Sequence, residues 1–281
     1  MAANKTMITV APTGAWPKKK DNPNIPMTPL EIANDVYECY KVGAAICHLH
    51  MRDEDGNGTM SKDKFEETVD LIKKNCDIVI NCTTSGDLTA TDETRQAHLR
   101  SIRPELASYD CGSMNWMHNS IFINHPKFLE ELGMTMQECE IKPEIEIFDS
   151  GMIYNSLYYL KKGVLKAPCH YQLVLGAAGG AAATIENLVY LRGLLPEGCT
   201  WGALGIGKQH VPIMLTTVAM GGHLRVGMED NVMWSAGVLA ESNAQLVKRA
   251  AEIVRIAGNE VATPDEAKKI LSIDRQCTFS K

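Results

Sequence analysis

Residues 44–50 read Ala-Ala-Ile-Cys-His-Leu-His, and residues 77–82 read Asp-Ile-Val-Ile-Asn-Cys. Residues 61–74 lie between these two apolar runs and form an amphipathic stretch. The stretch opens with Ser61, whose hydroxyl is a typical capping group. Short apolar runs are typical of strands buried in a parallel sheet, and the longer amphipathic stretch is typical of a helix that covers one face of the sheet. The segment therefore predicts one strand–helix–strand unit.

This alternation recurs along the whole chain. Predicted strands cover residues 7–11, 44–50, 77–82, 106–110, 143–148, 170–175, 200–204 and 222–226. Predicted helices cover residues 29–42, 61–74, 91–102, 126–138, 152–162, 184–194, 211–220 and 241–257, with a ninth at 264–271. Eight strand–helix pairs predict an α/β protein with a closed (β/α)8 TIM barrel rather than an open sheet. Because no linker interrupts the pattern, we expect residues 1–281 to form a single TIM-barrel domain with an extra C-terminal helix.

Composition and charge exclude several classes of protein. The chain has 281 residues, of which 45% are hydrophobic and 22% charged, as in globular proteins. The formal net charge is −6 and the basic residues are not concentrated in one part of the sequence, which argues against nucleic-acid and anionic-membrane binding. The longest nearly apolar run, residues 211–222, is too short to span a bilayer, and no secretory core follows the N-terminus. With nine cysteines and no Cys-x-x-Cys pair, we expect reduced thiols and a cytoplasmic location.

A pair of histidines closes the second predicted strand. Side chains alternate along a strand, so His48 and His50 point the same way, about 7 Å apart. At the C-terminal end of a barrel strand, two imidazoles form half of a plausible zinc site. A third ligand must come from another strand end, where His223 and Glu229 are both candidates. The alternative interpretation is a pair of histidines hydrogen-bonded inside the barrel.

Two carboxylates share one face of the fifth predicted strand. Glu144 and Glu146 are costly to bury unless they are paired or coordinated. If that face points inward, Arg225 is the attractive partner for Glu146 near the mouth of the barrel. The alternative is that both carboxylates form salt bridges with lysines of the loops.

Three segments after predicted strands are rich in small residues. Residues 81–86, Asn-Cys-Thr-Thr-Ser-Gly, offer hydroxyls and backbone N–H groups that suit a carboxylate or carbonyl oxygen. Residues 175–181 and 204–208 follow strands six and seven, and neither matches a phosphate loop or dinucleotide fingerprint. Their glycines allow close approach of the backbone to a ligand, and Lys208 is placed to meet a phosphate. Plain turns are the alternative for each segment.

Several segments, taken together and in order, resemble the β-keto acid cleavage enzymes, whose best-known member acts on 3-keto-5-aminohexanoate. The likeness is carried by residues 43–50 (Gly-Ala-Ala-Ile-Cys-His-Leu-His), 121–126 (Ile-Phe-Ile-Asn-His-Pro), 143–152 (Pro-Glu-Ile-Glu-Ile-Phe-Asp-Ser-Gly-Met), 221–231 (Gly-Gly-His-Leu-Arg-Val-Gly-Met-Glu-Asp-Asn) and 240–247. The resemblance implies a zinc-dependent TIM barrel in which a β-keto acid reacts with acetyl-CoA. The expected products are acetoacetate and a new acyl-CoA. It also implies a homo-oligomer, with a tetramer expected.

The resemblance also assigns roles to residues of this chain. The zinc ligands it implies are His48, His50 and Glu229, which leaves His223 as a neighbour of the site. The catalytic residues it implies are Arg225, Asp230 and Glu146, and the substrate contacts are Thr83, Gly86 and Ser108. In this interpretation, Asp230 and Arg225 act as a unit in the first deprotonation. Because an arginine is not a free base, we interpret Arg225 as a group that holds oxyanions, with Glu146 holding the guanidinium.

One position departs from the family pattern. Relatives that take the amino-keto acid carry a carboxylate directly after the Thr-Gly-Ala of the first strand, where it suits an ammonium group. Here residues 13–15 are followed by Trp16 and then by residues 18–20, Lys-Lys-Lys. Trp16 is suited to stack on a quaternary cation or to wall an apolar tail, and the lysines attract an anion. We therefore count Trp16 as a substrate-binding candidate and do not expect the aminated substrate.

Two alternative functions remain. A zinc-dependent keto-acid aldolase or decarboxylase would keep the fold and metal but show no dependence on acetyl-CoA. A non-catalytic barrel that binds a metal or metabolite would show no enzymatic activity, and in such a protein His50→Ala would abolish only metal uptake. We favour acyl transfer, because a simple binder needs fewer residues than two histidines, Glu229 and the pair Arg225 and Asp230.

Overall fold

Eight parallel strands close into a barrel in the computed structural model, which describes residues 4–280. In chain order they are β1 (Ile8–Val10), β2 (Ile46–Leu49), β3 (Val79–Cys82), β4 (Leu106–Asp110), β5 (Lys142–Ile147), β6 (His170–Leu175), β7 (Thr200–Gly205) and β8 (His223–Val226). Each strand pairs in parallel with the next, and β8 returns to β1 with Leu224 opposite Ile8. The predicted (β/α)8 barrel is confirmed.

A helix follows every barrel strand, and a ninth helix packs after the last unit. They are α1 (Pro29–Lys41), α2 (Lys62–Lys73), α3 (Asp92–Ile102), α4 (Pro126–Glu138), α5 (Ser150–Lys162), α6 (Ile185–Leu194), α7 (His210–Ala219), α8 (Asn243–Ile256) and α9 (Pro264–Ile270). All nine predicted helices are present, with ends within two residues of those predicted. Capping boxes at Thr28 and Thr263 explain where α1 and α9 begin.

One predicted cap is wrong in detail. Helix α2 begins directly after Ser61, but the Ser61 hydroxyl makes no capping hydrogen bond. The backbone N–H of Ser61 instead donates to the Thr59 hydroxyl, 3.3 Å away. The start of α2 is thus set by packing of its apolar face, which buries Phe65 and Val69.

Three antiparallel hairpins extend the wall of the barrel beyond the ends of β2, β4 and β8. They pair Met51–Arg52 with Gly58–Thr59, Met114–Trp116 with Ser120–Phe122, and Met233–Ser235 with Val238–Leu239. Strands of two or three residues are too short to show an alternation of apolar and polar positions, so the sequence pattern does not reveal them.

Apolar side chains fill the space between the barrel and its helices. The core includes Ile8, Leu49, Phe65, Tyr109 and Val247, all fully buried. The nine cysteines are free, as expected, and eight of them are buried. Within residues 4–280, none of the helices has the length and apolar character needed to cross a membrane. Buried polar residues that include His48, His50, Asp110, Glu146 and Arg225 lie toward the C-terminal ends of the strands, where the chemistry of such barrels occurs.

Candidate metal centre and active site

A cavity of about 890 Å³ opens at the C-terminal ends of the barrel strands. Its polar lining includes His48, His50, Glu146, Arg225 and Glu229, which come from β2, β5, β8 and the segments after them. In parallel barrels these strand ends and the following loops form the active face. The cavity is therefore the candidate active site.

The three predicted zinc ligands converge on the floor of this cavity. The rings of His48 and His50 are buried, with centroids 5.1 Å apart. The Oε1 atom of Glu229 lies 3.7 Å from Nε2 of His48 and 3.4 Å from Nε2 of His50. The ligand atoms of the three residues all lie within 4.8 Å of one another. Barrel closure thus brings the loop after β8 against the end of β2.

A second group of possible ligands shares His48. It consists of His48, Glu144 and Glu146, and its ligand atoms also lie within 4.8 Å of one another. Glu144 is fully buried, 3.5 Å from Nδ1 of His48, and it accepts a hydrogen bond of 2.5 Å from the Asn81 amide. Histidine ligands commonly use one ring nitrogen for a carboxylate and the other for the metal. Glu144 lies on the Nδ1 side of the His48 ring, and Nε2 on the other side faces Glu229 and the cavity.

His223, the other candidate for the third ligand, lies elsewhere in the barrel. Its Nδ1 accepts a hydrogen bond of 3.1 Å from the backbone N–H of Met7, and its ring lies 6.4 Å from that of His170. Burial lowers the pKa of His223 to about 3, so its ring is neutral. The geometry therefore groups the carboxylate of Glu229, and not His223, with the histidine pair.

The chemistry of the cluster fits a bound dication. Near the cavity floor, the guanidinium of Arg225 supplies one positive charge against the carboxylates of Glu144, Glu229 and Asp230, beside the pair formed by Asp110 and Glu146. Such an excess of negative charge is costly in a buried site without a further cation. Oε2 of Glu229 and Nδ1 of His50 are buried without a hydrogen-bond partner in the described part of the chain. Two histidines and a glutamate form a donor set used by catalytic zinc.

Arg225 is held by three carboxylates. Its Nε and Nη2 donate to the two oxygens of Asp230, at 3.1 and 3.0 Å, in the bidentate geometry of strong charged pairs. Its Nη1 donates to Glu146 at 3.2 Å, and Nη2 also donates to Glu229. Burial by itself lowers the pKa of Arg225, but these carboxylates outweigh burial and raise the pKa well above its usual value. The predicted contact with Glu146 is present, and the loop lysines do not replace it.

Asp110 is a functional candidate that the sequence reasoning missed. It ends β4 and lies opposite Glu146 in the register of β4 and β5. Burial, and then repulsion by Asp110, raises the pKa of Glu146 well above its usual value, and burial also raises the pKa of Asp110. Two neighbouring buried carboxyls repel each other when both are ionised, which favours a proton on one of them. An acidic residue at the end of an apolar barrel strand was the available signal.

The predicted substrate contacts after β3 and in β4 lie behind the cavity wall. Ser108 is fully buried, and its hydroxyl accepts a hydrogen bond of 3.0 Å from the N–H of Thr84. The hydroxyl of Thr83 lies 3.2 Å from that of Ser85. Among the described residues, Ser85 lines the cavity, whereas Thr83 and Ser108 shape the loop beneath it.

Gly86, the third of these predicted contacts, allows the same loop to pass close to a metal-ligand candidate. A Cβ atom at Gly86 would lie 3.3 Å from Nδ1 of His50 and 3.1 Å from the Met60 sulfur. Contacts this short leave little room for a side chain. The absence of a Cβ is therefore part of how the loop packs against His50.

Trp16 belongs to an aromatic wall on one side of the cavity. We define this aromatic wall as Trp16, Trp116, Phe122 and Phe148. Trp16 is 54% exposed, and its ring lies 5.9 Å from that of Trp116. Trp116 in turn meets Phe122 and Phe148 edge-on, each at 6.0 Å. The wall presents apolar and π surface to any ligand in the cavity.

Arg52, also missed by the sequence reasoning, holds the loop that carries Trp16. The side chain is 1% exposed, and burial lowers its pKa to about 10. Its Nη atoms donate, at 2.7–2.9 Å, to backbone carbonyls of Thr13, Ala15, Pro17 and Gly56. Nothing local in the sequence distinguishes this arginine from an exposed one, because its partners are backbone atoms.

Comparisons with known proteins identify the family of this chain. Residues 5–273 match the family model described as beta-keto acid cleavage enzyme. The chain is 40% identical over 272 residues to the "3-keto-5-aminohexanoate cleavage enzyme" of Fusobacterium nucleatum, covering 96% of this chain and 99% of that one. It is 33% identical to the "3-oxoadipate:acetyl-CoA acetyltransferase" of Cupriavidus necator, covering 95% and 94% of the two chains.

A solved structure supports the fold. The apo structure of ObcA superimposes with a TM-score of 0.77 at 20% identity, over 89% of this chain and 66% of that one. At this level of identity the likeness bears on the fold alone. With the family match spanning nearly the whole chain, the protein belongs to the beta-keto acid cleavage enzyme family.

Proposed function

We propose that this protein transfers the carboxymethyl group of a β-keto acid to the acetyl group of acetyl-CoA. The bond between C2 and the keto carbon of the acid breaks, and a bond forms between C2 and the acetyl carbonyl. The CoA thiolate takes the remaining acyl group, so the products are acetoacetate and a new acyl-CoA. The observation that carries this proposal is the position of Arg225, held by three carboxylates directly beside His48, His50 and Glu229. The names of the relatives in the family support it.

The metal in this proposal is Zn²⁺, held by His48, His50 and Glu229. When bound there, zinc would act as a Lewis acid toward the keto and carboxylate oxygens of the substrate. Burial, and then the charge of Arg225, lowers the pKa of His48, which favours the neutral ring that metal binding requires. Glu144 lies 3.5 Å from Nδ1 of His48, on the side of the ring away from Glu229, where a carboxylate commonly supports a histidine ligand.

Asp230 and Arg225 are proposed to act together in the first proton transfer. Burial raises the pKa of Asp230 to about 6, so it is ionised near neutral pH yet more basic than an exposed aspartate. In the proposal, a proton leaves C2 of the keto acid and is accepted by a carboxylate oxygen of Asp230. Arg225 stays charged and stabilises the oxyanion that develops, while Glu146 holds the guanidinium in position.

Trp16 is proposed to contact the side chain of the keto acid. The aromatic wall is suited to an apolar tail or to a quaternary cation, both of which interact well with ring faces. Because Trp16 replaces the carboxylate that would suit an ammonium group, we do not propose the aminated substrate. Thr83, Gly86 and Ser108 stay predictions as substrate contacts, and the loop that they shape presents Ser85 to the cavity.

The decisive experiment is mass spectrometry on zinc-loaded protein supplied with isotopically labelled acetyl-CoA. The β-keto acids in the pool should include apolar, cationic and anionic side chains. Labelled acetoacetate together with a new acyl-CoA is the expected result, and the mass of the acyl group identifies the substrate. Loss of a keto acid without labelled acetoacetate would favour an aldolase or decarboxylase instead. If no keto acid in any of the three groups reacts, acyl transfer is contradicted.

The matched variant is His50→Ala, studied by metal analysis and by the same assay. We expect zinc content and acetoacetate formation to be lost together, with the far-UV circular dichroism spectrum unchanged. If the wild-type protein binds zinc but forms no acetoacetate, and the variant loses the zinc, the result would favour a non-catalytic metal-binding barrel. Retention of zinc and full activity would contradict the ligand assignment.

Three further predictions concern the whole protein. We expect residues 1–281 to form one TIM-barrel domain with an extra C-terminal helix. We also expect a cytoplasmic location and a homo-oligomer, with a tetramer as the family resemblance implies. Sedimentation of the purified protein tests the oligomer directly.

A further inference from the structure

Two cationic side chains line the cavity on the side of β7 and β8. Lys208 follows β7 and is exposed, and Arg249 lies on α8 and is half-buried. Over residues 4–280, neither side chain forms an ion pair with an acidic group, in contrast to Arg225 with its three carboxylates. Uncompensated positive charge at the rim of a cavity attracts an anionic ligand.

A chain of hydrogen bonds connects Arg249 to the turn that carries Lys208. The guanidinium lies 4.0 Å from the ring centroid of Trp234, and its Nη2 donates to Nε2 of His210 at 2.6 Å. Because arginine only donates, Nε2 of His210 accepts, and Nδ1 carries the proton that it donates to the Gly207 carbonyl at 2.8 Å. Burial lowers the pKa of His210, which agrees with a neutral ring. The turn is thus fixed relative to Arg249.

The space around Lys208 is larger than a small keto acid needs. A second cavity of about 570 Å³ adjoins the first, and both are lined by Ile206 and Lys208. The wall of the main cavity near these residues is apolar and includes Val211, Met228 and Val232. A long ligand with an apolar arm and an anionic end can therefore extend from the metal-ligand candidates past Lys208.

We propose that Lys208 and Arg249 bind the phosphate groups of CoA, with the apolar wall contacting its pantetheine arm. This inference rests on the proposed function, because it locates the site of the second substrate. CoA combines a long arm, in which methylene and dimethyl groups alternate with two amides, with a pyrophosphate and a 3′-phosphate. This side of the cavity offers an apolar wall and two cations to such a ligand. Phosphate sites in TIM barrels are frequently formed by the loops after strands seven and eight, which is where Lys208 and the Trp234 hairpin lie.

The test measures binding of three ligands by calorimetry: CoA, 3′-dephospho-CoA and pantetheine. The variants are Lys208→Gln, Arg249→Gln and their combination, with Arg249→Lys to restore the charge. Lys248→Gln is the matched control, because Lys248 is an exposed neighbour of Arg249 on α8 and does not line the cavity. Loss of a charged hydrogen bond to phosphate weakens binding by about 10- to 100-fold. We expect that loss for CoA in Lys208→Gln and more in the double variant, with pantetheine binding unchanged.

Lys208→Gln keeps the proposal testable even if Arg249→Gln disturbs the hairpin, because the exposed Lys208 side chain makes no hydrogen bond within the described residues. Dephospho-CoA shows which phosphate is contacted, since it lacks only the 3′-phosphate. Unchanged CoA affinity in Lys208→Gln overturns the proposal, and so does equal weakening of CoA and pantetheine. A KM that rises for the keto acid but not for acetyl-CoA also overturns it, because the cations would then bind the acyl tail.

These measurements separate the two proposals. Charge-dependent binding of CoA without any formation of acetoacetate would support the phosphate site and contradict the proposed reaction. Formation of acetoacetate with the same KM for acetyl-CoA in wild type and Lys208→Gln would support the reaction and overturn the phosphate site. A wild-type protein that binds no CoA overturns both.

Discussion

Two arginines are buried near the same carboxylate, Glu229, yet their surroundings are opposite. Arg225 is 5% exposed and donates to the carboxylates of Asp230, Glu146 and Glu229. Arg52 is 1% exposed and donates to four backbone carbonyls. Burial lowers the pKa of Arg52 to about 10, whereas the carboxylates outweigh burial and raise the pKa of Arg225.

The difference shows that burial and residue type do not define the role of a charged side chain. Carboxylate partners keep Arg225 as a fixed cation whose charge is available to stabilise a substrate oxyanion. Carbonyl partners accept hydrogen bonds from the Nη atoms of Arg52 without balancing its charge, so this side chain organises the backbone. This difference supports the proposed role of Arg225 in the chemistry and indicates that Arg52 positions the loop that carries Trp16.

The largest expected effect is at Arg225. In Arg225→Gln we expect kcat for acetoacetate formation to fall by about 10²- to 10³-fold, because a preorganised group that stabilises an oxyanion is removed. Steady-state kinetics on the zinc-loaded variant, with circular dichroism to verify folding, measures this. Arg225→Lys is the control: it keeps the charge but not the bidentate contact with Asp230, and should recover only part of kcat. A kcat within a few-fold of wild type in Arg225→Gln would contradict the proposed role.

Arg52 should affect stability more than chemistry. In Arg52→Met we expect the free energy of unfolding to fall by about 3 kcal/mol, because buried carbonyls lose charged donors. Urea denaturation measures the change. Arg52→Lys, which keeps the charge with fewer directed donors, should lose less. If the Met variant were as stable as wild type, the distinction between the two arginines would fail.

Gly14 lies between the loop that Arg52 holds and Glu229, one of the carboxylate partners of Arg225. Its φ is +62°, and a Cβ there would lie 2.5 Å from Cγ of Glu229. In Gly14→Ala we expect the displaced carboxylate to weaken zinc binding by about tenfold, as changes around metal ligands commonly do. A competitive chelator titration measures the affinity. Gly56→Ala is the matched control, since Gly56 has a similar φ of +74° with no atom within 4 Å of its Cβ. Equal zinc affinities in the two variants would contradict the steric explanation.

Substitution of Trp16 tests whether the loop that Arg52 holds contacts the side chain of the keto acid. In Trp16→Ala we expect KM for the keto acid to rise by about tenfold, with less change in kcat, because one face of the aromatic contact is lost. Trp16→Phe should retain most of the affinity. The kinetics use the substrate identified by mass spectrometry. An unchanged KM in Trp16→Ala would place the acyl tail away from the aromatic wall.

The smallest expected effect is a pH dependence of stability at Asp35, in the contact between α1 and α8. Asn243, on α8, contacts Asp35 on α1 and the segments that follow β1 and β8. It donates to Asp35 at 2.8 Å and to the Pro12 carbonyl at 3.0 Å, and it accepts from the N–H of Met228 at 2.7 Å. Burial raises the pKa of Asp35 from its ordinary 3.8 to about 7. The folded state therefore keeps a proton that the unfolded chain has lost, and this carboxyl lowers stability progressively as pH rises from about 4 to 7.

The substitution Asp35→Asn should remove that dependence. Because Asp35 is half-buried, we expect the variant to gain about 1 kcal/mol relative to wild type between pH 5 and pH 7, less than a full proton difference would give. Urea denaturation at the two pH values measures the gain. A relative stability that stays constant, or falls, as pH rises would show that Asp35 is ionised in the folded protein.

The strands and helices were predictable because their signals are local. Within residues 4–280, apolar runs and amphipathic stretches place the eight barrel strands and the nine helices, and the parallel barrel follows from their alternation. Alternation along β2 also predicts that His48 and His50 share one face. By contrast, the hairpin strands are too short to show a pattern, and the partners of Arg52 are backbone atoms with no sequence signature.

What the sequence by itself determined is the order of the elements, the barrel class and the chemical types at the strand ends. Only the tertiary structure decided which of these groups meet. Asp110 lies beside Glu146, and Glu144 lies beside Nδ1 of His48, because barrel closure sets the register of distant strands. The same closure brings Glu229, which the family resemblance implies as a ligand, to the histidine pair. Those contacts depend on separations of many residues along the chain, whereas periodicity reports only on neighbours within one element.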